Sequence, residues 1–405
     1  MMTVRDMVRP GEKPTPRYFR SVFSIIKKLK VGSMAFVLPD GRRFEKASGT
    51  PGPHGEIVVR NPDMFARLVR EGDLGFAESY MDAWWDTPDL QALMDVILLN
   101  NDTVGRGFPG MALVRSYERF RHWMNRNTKA GAARNISHHY DLGNEFYSAW
   151  LDETMTYSSA LFRREGEPLA AAQANKYASI LDMIGAREGD HVLEIGCGWG
   201  GFAEYAAKSR GARVTGITIS KEQHDFAAAR IQREGLNDKV EILLRDYRDE
   251  TGRYDGVASI EMFEAVGERF WPGYFDTVRE RLKPGCSASL QIITVADEWF
   301  PSYRKSVDFI QKYIFPGGML PSPSALRGQV ARAGLDLTGS VEFGQSYAET
   351  LRQWRTVFNE RWEEIRTLGF DDRFHRMWNY YLTSCAGTFM SGTTDVTQVA
   401  IRRPA

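Results

Sequence analysis

A short apolar strand, HVLEI (His191 to Ile195), runs directly into the glycine-rich turn GCGWGG and then into the helical segment FAEYAAK. Few folds accept that order. The glycines let the chain turn tightly beneath a ligand, and the helix start points its unpaired backbone amides at whatever lies there. The segments that follow keep the same rhythm. Apolar runs at Arg213 to Thr218, Val240 to Leu244, Gly256 to Ile260 and Ser287 to Ile293 are separated by helical stretches. This alternation predicts an α/β unit with a mainly parallel sheet and helices on both faces. Two more strand candidates, Leu335 to Phe343 and Val396 to Ile401, flank a helical, aromatic-rich stretch from Tyr347 to Phe389.

Upstream, residues 18 to 110 mix strand-like runs (Met34 to Leu38, Glu56 to Val59) with helical periodicity from Pro62 to Leu99. They read as a small α+β domain without recognisable chemistry. The expected organisation is an N-terminal domain over 1–114, a basic linker helix over 115–134 and the α/β domain over 135–405. The linker carries six basic residues against one acid, Glu118, with Tyr117, Phe120 and Trp123 at three-residue spacing. Such a helix suits either packing on a domain or docking on anionic headgroups.

Lysine plus arginine and aspartate plus glutamate balance at 52 each, which gives no global charge for nucleic acid. Cys197, Cys286 and Cys385 lack paired metal-type spacing, so neither zinc nor a disulfide framework is expected. No stretch approaches the roughly 20 apolar residues of a membrane span. The reading is a cytoplasmic protein, at most peripheral to the inner face of the cytoplasmic membrane.

The acid Glu194, two residues before the glycine turn, disfavours a diphosphate and suits a zwitterionic amino acid bearing a sulfonium. That favours S-adenosylmethionine over a dinucleotide. Beside Gly196, Gly198 and Gly200, the next strand end offers Thr218, Ser220 and Gln223 for ribose hydroxyls. After the third strand, Asp246 is placed to accept from the adenine amino group and Tyr247 to cover the ring.

The ordered series HHYDLGNEFY, TYSSALF, VLEIGCGWGG, GITISKEQ, RDYRD, EMFEAVG, KYIFPGGMLPS, SYAETL and WNYYLTSCAGTF resembles the cyclopropane-fatty-acid synthase family, which includes mycolic acid cyclopropane synthases and related lipid C-methyltransferases. The resemblance implies a Rossmann-like class I methyltransferase sheet with a helical lipid-binding cover. It implies S-adenosylmethionine held by Tyr157, Ser158, the Val192 to Gly200 turn, Thr218, Gln223, Asp246 and Tyr247. It also implies a substrate, the unsaturated acyl chain of a membrane phospholipid, whose alkene attacks the sulfonium methyl to leave a carbocation, and an N-terminal domain that supports phospholipid docking or a homodimer.

The family's bicarbonate pocket is matched by Glu264, Ile293 and Tyr347, whereas Ser159 stands in the cysteine position, Gln291 in the histidine position, and Ala265 replaces the usual histidine after Glu264. Glutamine cannot carry the charge of a protonated histidine, which counts against bicarbonate. The expected product is therefore a methylated or methylene-bearing chain, with ring closure as the alternative. Of the adjacent His138 and His139, one is expected to contact the site, His139 being taken as that residue, and neither to bind metal. The FPGGMLPS loop reads equally as core filler or as a lipid entry. Rival functions are methylation of oxygen or nitrogen in a small metabolite, opposed by the KYIFPGG segment and the helical cover, and a lipid-binding scaffold without turnover, opposed by the intact glycine turn.

Overall fold

The strands fall into two sheets in a computed structural model that describes residues 14–104 and 142–405. Among the described residues one compact unit comprises 14–104, Val307–Phe309 and Gly369–Ser391, and the other comprises 142–306, Ile310–Leu368 and Gly392–Ala405.

The first unit holds a four-stranded sheet of β1 (Val31–Val37), β2 (Arg43–Ala47), β3 (Thr50–Val59) and β4 (Trp85–Asp86), in the order β2-β1-β3-β4. β1 and β3 are parallel, and the other pairings are antiparallel. The predicted helical run from Pro62 to Leu99 is three helices, Met64–Glu71, Asp73–Met81 and Leu90–Leu99, interrupted by β4. Gly72, with φ 62°, forces the first break. The helix Asp372–Met390, which the sequence reading counts within the 135–405 domain, packs in this unit. Arg376 anchors it there, donating to the Trp85 carbonyl at 2.7 Å and lying 3.9 Å over the Tyr80 ring.

The second unit is built on β5 (His191–Ile195), β6 (Arg213–Thr218), β7 (Val240–Leu244), β8 (Tyr254–Ile260), β9 (Leu282–Val295), β10 (Asp336–Glu342) and β11 (Thr394–Arg402), in the order β10-β11-β9-β8-β5-β6-β7. The strands from β7 through β9 are parallel, while β11 runs antiparallel to both β9 and β10. All seven were anticipated, with β9 extending further at both ends than the apolar run that marks it. β5 shows why the sheet is central: Leu193 and Ile195 enter one core cluster and Val192 the other, so the two-residue period of a strand feeds apolar groups to both faces. β10 closes one edge, its residues exposed. The parallel strands end on the same side, where their carboxyl ends and the following loops form the site. No helix among the described residues is long and apolar enough to cross a membrane.

Candidate active site

The first half of the site is backbone. Gly196, Gly198 and Gly200 have φ of 84°, 51° and 83°, a left-handed region costly for other residues. Space forbids a side chain as well, since a Cβ on Gly196 would lie 2.7 Å from Met262 Cγ. The helix Gly201–Arg210 starts at once, so its free amides face the turn. Just before it, Glu194 is only 2% exposed and its Oε2 has no hydrogen-bond partner among the described residues. Burial pushes this carboxyl well above its ordinary range, opposed by Lys176 and Arg230. An acceptor stranded beside a glycine cradle fits a ligand that brings donors or positive charge, as S-adenosylmethionine does.

The other cofactor residues lie around this turn. Thr218 Oγ1 donates to Gln223 Oε1 at 2.9 Å and accepts from the Ser220 amide at 3.1 Å, while Ser220 Oγ caps the next helix by accepting from Gln223 N. Asp246, read from sequence as the acceptor for the adenine amino group, accepts from the Arg248 amide at 2.9 Å and from Arg248 Nε at 2.8 Å. Tyr247 packs edge-on to Tyr274, centroids 5.5 Å apart. Tyr157 belongs to an aromatic wall, its centroid 5.4 Å from Tyr147, 5.6 Å from Trp150 and 5.3 Å from Trp354. Ser158 Oγ accepts from Lys176 Nζ at 2.7 Å. Lys176 is wholly buried, and burial lowers its pKa to about 7 against the pull of Glu261, Asp152 and Glu194.

The second half is a knot of side chains centred on Glu261, which the sequence reading passes over in favour of Glu264. Glu261 Oε1 accepts from the Ser159 amide and from Gln291 Nε2, each at 2.8 Å, and Oε2 accepts from the Tyr347 hydroxyl at 2.7 Å. Ser159 therefore contributes its backbone and not its hydroxyl, which turns away to the Ala160 carbonyl at 2.9 Å. Gln291, fully buried, also donates to the Ser159 carbonyl at 3.2 Å, and its own carbonyl accepts from Gln398 at 3.0 Å. The donors expected to greet a free anion thus already hold a carboxylate of the chain. Glu261 has φ 48°, and its amide donates to the Gln291 carbonyl at 2.9 Å, which fixes the bend at the end of β8. Burial raises its pKa, opposed chiefly by the Tyr347 and Gln291 hydrogen bonds.

Three residues on, Glu264 sits in the short 3-10 turn Phe263–Ala265 and accepts from the Ile293 amide at 2.5 Å. Its Oε2 is buried without a partner among the described residues. Burial and then the neighbouring Glu261 raise its pKa to about 8, so at neutral pH it is mostly a neutral acid. The Glu264 carbonyl accepts from the Met319 amide at 2.8 Å, and Met319 lies in the sheet core, so the FPGGMLPS segment packs against the site at this point. A second acid three residues before Glu264, at the strand end, was the signal available for Glu261. His138, His139 and the basic segment 115–134 lie outside the described residues.

Solved structures that match the chain include coclaurine N-methyltransferase bound to N-methylheliamine and S-adenosylhomocysteine, with TM-score 0.64 over 82% of this chain and 99% of that one at 17% identity, and this likeness defines a class I methyltransferase fold. The model for mycolic acid cyclopropane synthetase matches residues 127–399, and the chain belongs to that family of S-adenosylmethionine-dependent methyltransferases. It is 40% identical over 370 residues to the tuberculostearic acid methyltransferase UfaA1 of Mycobacterium tuberculosis, covering 88% of this chain and 86% of that one. It is 37% identical over 352 residues to the cyclopropane-fatty-acyl-phospholipid synthase of Escherichia coli, covering 86% and 88%. The mycolic acid cyclopropane synthase CmaA1 with S-adenosylhomocysteine and CTAB aligns with TM-score 0.63 at 28% identity, over 67% of this chain and 98% of that one.

Proposed function

We propose that this enzyme transfers the methyl group of S-adenosylmethionine to a double-bond carbon of an unsaturated acyl chain in a membrane phospholipid, and that the resulting cation resolves to a methyl- or methylene-bearing chain without closing a ring. The observation that carries the reading is the neutral Gln291 locked between Gln398 and Glu261. Among the described residues no imidazole donates to this knot. S-adenosylmethionine supplies the electrophilic methyl when bound at the glycine turn. Glu194 and the turn amides hold its polar groups, and the Tyr147, Trp150, Tyr157 and Trp354 faces offer quadrupole stabilisation to positive charge and exclude water. The relative named as a tuberculostearic acid methyltransferase supports transfer to an acyl chain, and the named cyclopropane synthase keeps ring closure as the second reading.

The reading extends to peripheral binding at the inner face of the cytoplasmic membrane through the basic 115–134 segment, with a homodimer joined by the N-terminal domain. The test is incubation with methyl-labelled S-adenosylmethionine and vesicles of unsaturated phospholipid, with fatty acids analysed by mass spectrometry and proton NMR. Label in olefinic methyl or methylene signals is expected. High-field cyclopropane signals would overturn the ring-free product, and unlabelled lipid would overturn the substrate. Sedimentation of the same vesicles reports membrane association, which should weaken with salt, and light scattering reports the dimer; a soluble, monomeric enzyme would remove both extensions.

A further inference from the structure

We propose that the carboxylate of Glu261 is the proton acceptor of the reaction, a base carried by the chain itself. The inference rests on the alkene methylation proposed above but not on which product forms. Three observations converge. Glu261 is held in one orientation by three donors from separate parts of the chain, the Ser159 amide, the Gln291 amide group and the Tyr347 hydroxyl, all within 2.8 Å. A carboxylate has about four lone-pair positions, and these bonds fill three, two on Oε1 and one on Oε2. One position on Oε2 remains. Its backbone is held at φ 48°, where a glycine would serve at lower cost, so the fold maintains a side chain at a strained position of the kind found where chemistry is done. The loop is also beside the cofactor turn, because Met262, the next residue, closes on the Gly196 Cα.

Glu264, the other acid of the pair, accepts from the Ile293 amide alone, against three donors on Glu261, so the roles separate by geometry: only Glu261 is fixed in orientation by a full scaffold. The buried Lys176 ammonium, bonded to Ser158 and Gln173, is the nearby cation that favours an ionised Glu261.

The electron count closes without another reagent. The alkene π pair becomes the new carbon–carbon bond, the sulfur–carbon pair leaves with S-adenosylhomocysteine, and the neighbouring chain carbon becomes cationic. Glu261 then removes a proton. If it comes from the carbon that received the methyl, the C–H pair becomes a π bond between the two former alkene carbons. If a hydride first moves from that carbon to its neighbour, the proton comes from the new methyl and the pair becomes the π bond of a branching methylene group on the chain. In either case Glu261 ends as a carboxylic acid, which returns its proton to water when product leaves.

The experiment measures labelled lipid and S-adenosylhomocysteine for the wild type, Glu261→Gln and Glu261→Gly in buffer freed of carbon dioxide, then with added bicarbonate or formate. The wild type should be insensitive to bicarbonate. Glu261→Gln should lose about 100-fold or more in lipid product, the usual worth of a positioned base, while binding S-adenosylmethionine within about threefold of wild type. Glu261→Gly, which suits the backbone and vacates the carboxylate's place, should recover product at least about tenfold with either small anion. A wild-type rate that depends on bicarbonate, or a Glu261→Gln enzyme within about threefold of wild type, would overturn the assignment; the first needs no variant to fold. Failure of the lipid reading appears separately, as absence of lipid label in the wild type.

Discussion

The two halves of the active site are made of different material. At the glycine turn the working surface is backbone, shaped by residues that must have no side chain. At the Glu261 knot it is charged and amide groups taken from the interior and satisfied by one another. The turn should therefore fail when volume is added, and the knot when charge or a hydrogen bond is altered with volume kept.

The largest contrast is expected at Glu264. Its pKa is raised from 4.5 to about 8, so between those values the folded state holds a proton that the unfolded state has lost. Stability attributable to this group is at its maximum below about pH 4.5, falls as pH rises through the window and is level above about 8. Glu264→Gln should remove that fall, gaining on wild type by about 1.4 kcal/mol per pH unit. Urea midpoints between about pH 5 and pH 6 check this in a range where Lys176, with its folded pKa at about 7, stays largely protonated in both states. Parallel wild-type and variant curves would show that Glu264 ionises normally. Next comes the turn: Gly196→Ala places a Cβ against Met262 at positive φ, and should cost about 2 kcal/mol of stability with at least tenfold weaker S-adenosylmethionine binding in calorimetry. The smallest effect is Tyr347→Phe, which removes one hydrogen bond to Glu261 and should cost about 1 to 2 kcal/mol. In a double-mutant cycle with Glu261→Gln most of that cost should vanish, whereas full additivity would mean the two residues act separately.

The same contrast explains what could be read in the chain. The turn, its flanking strand and helix, and the seven strands are local patterns, with glycines at positions that only they occupy cheaply, and β5, β6 and β7 run over the residues that their apolar spacing marks. The knot is not local. Ser159 reaches Glu261 across 102 positions and Tyr347 across 86, so nothing near either residue announces the bond. Family resemblance brought Ser159, Gln291, Tyr347 and Glu264 together but attached them to an external anion, because Glu261 has no role in the pattern it matched. It likewise drew attention to the Ser159 hydroxyl, when the backbone amide beside it makes the bond. The helix Asp372–Met390 was legible as a helix, but its place in the chain put it in the 135–405 domain while it packs in the other unit, since an amphipathic period says that a face is buried without saying against what.

The place of β11 has a consequence for how the enzyme comes into being. This strand lies between β9 and β10 and carries Gln398, whose amide orients Gln291 and through it Glu261. Every other member of the knot is made earlier during synthesis, so a growing chain can form the glycine turn long before it can finish the carboxylate's scaffold. Until residue 398 arrives, the sheet has an open seam beside β9, and the acid that the chemistry needs has lost the end of its hydrogen-bond chain. The carboxylate's scaffold is thus completed by β11, the last strand in chain order, whereas the cofactor turn rests on residues 196–200.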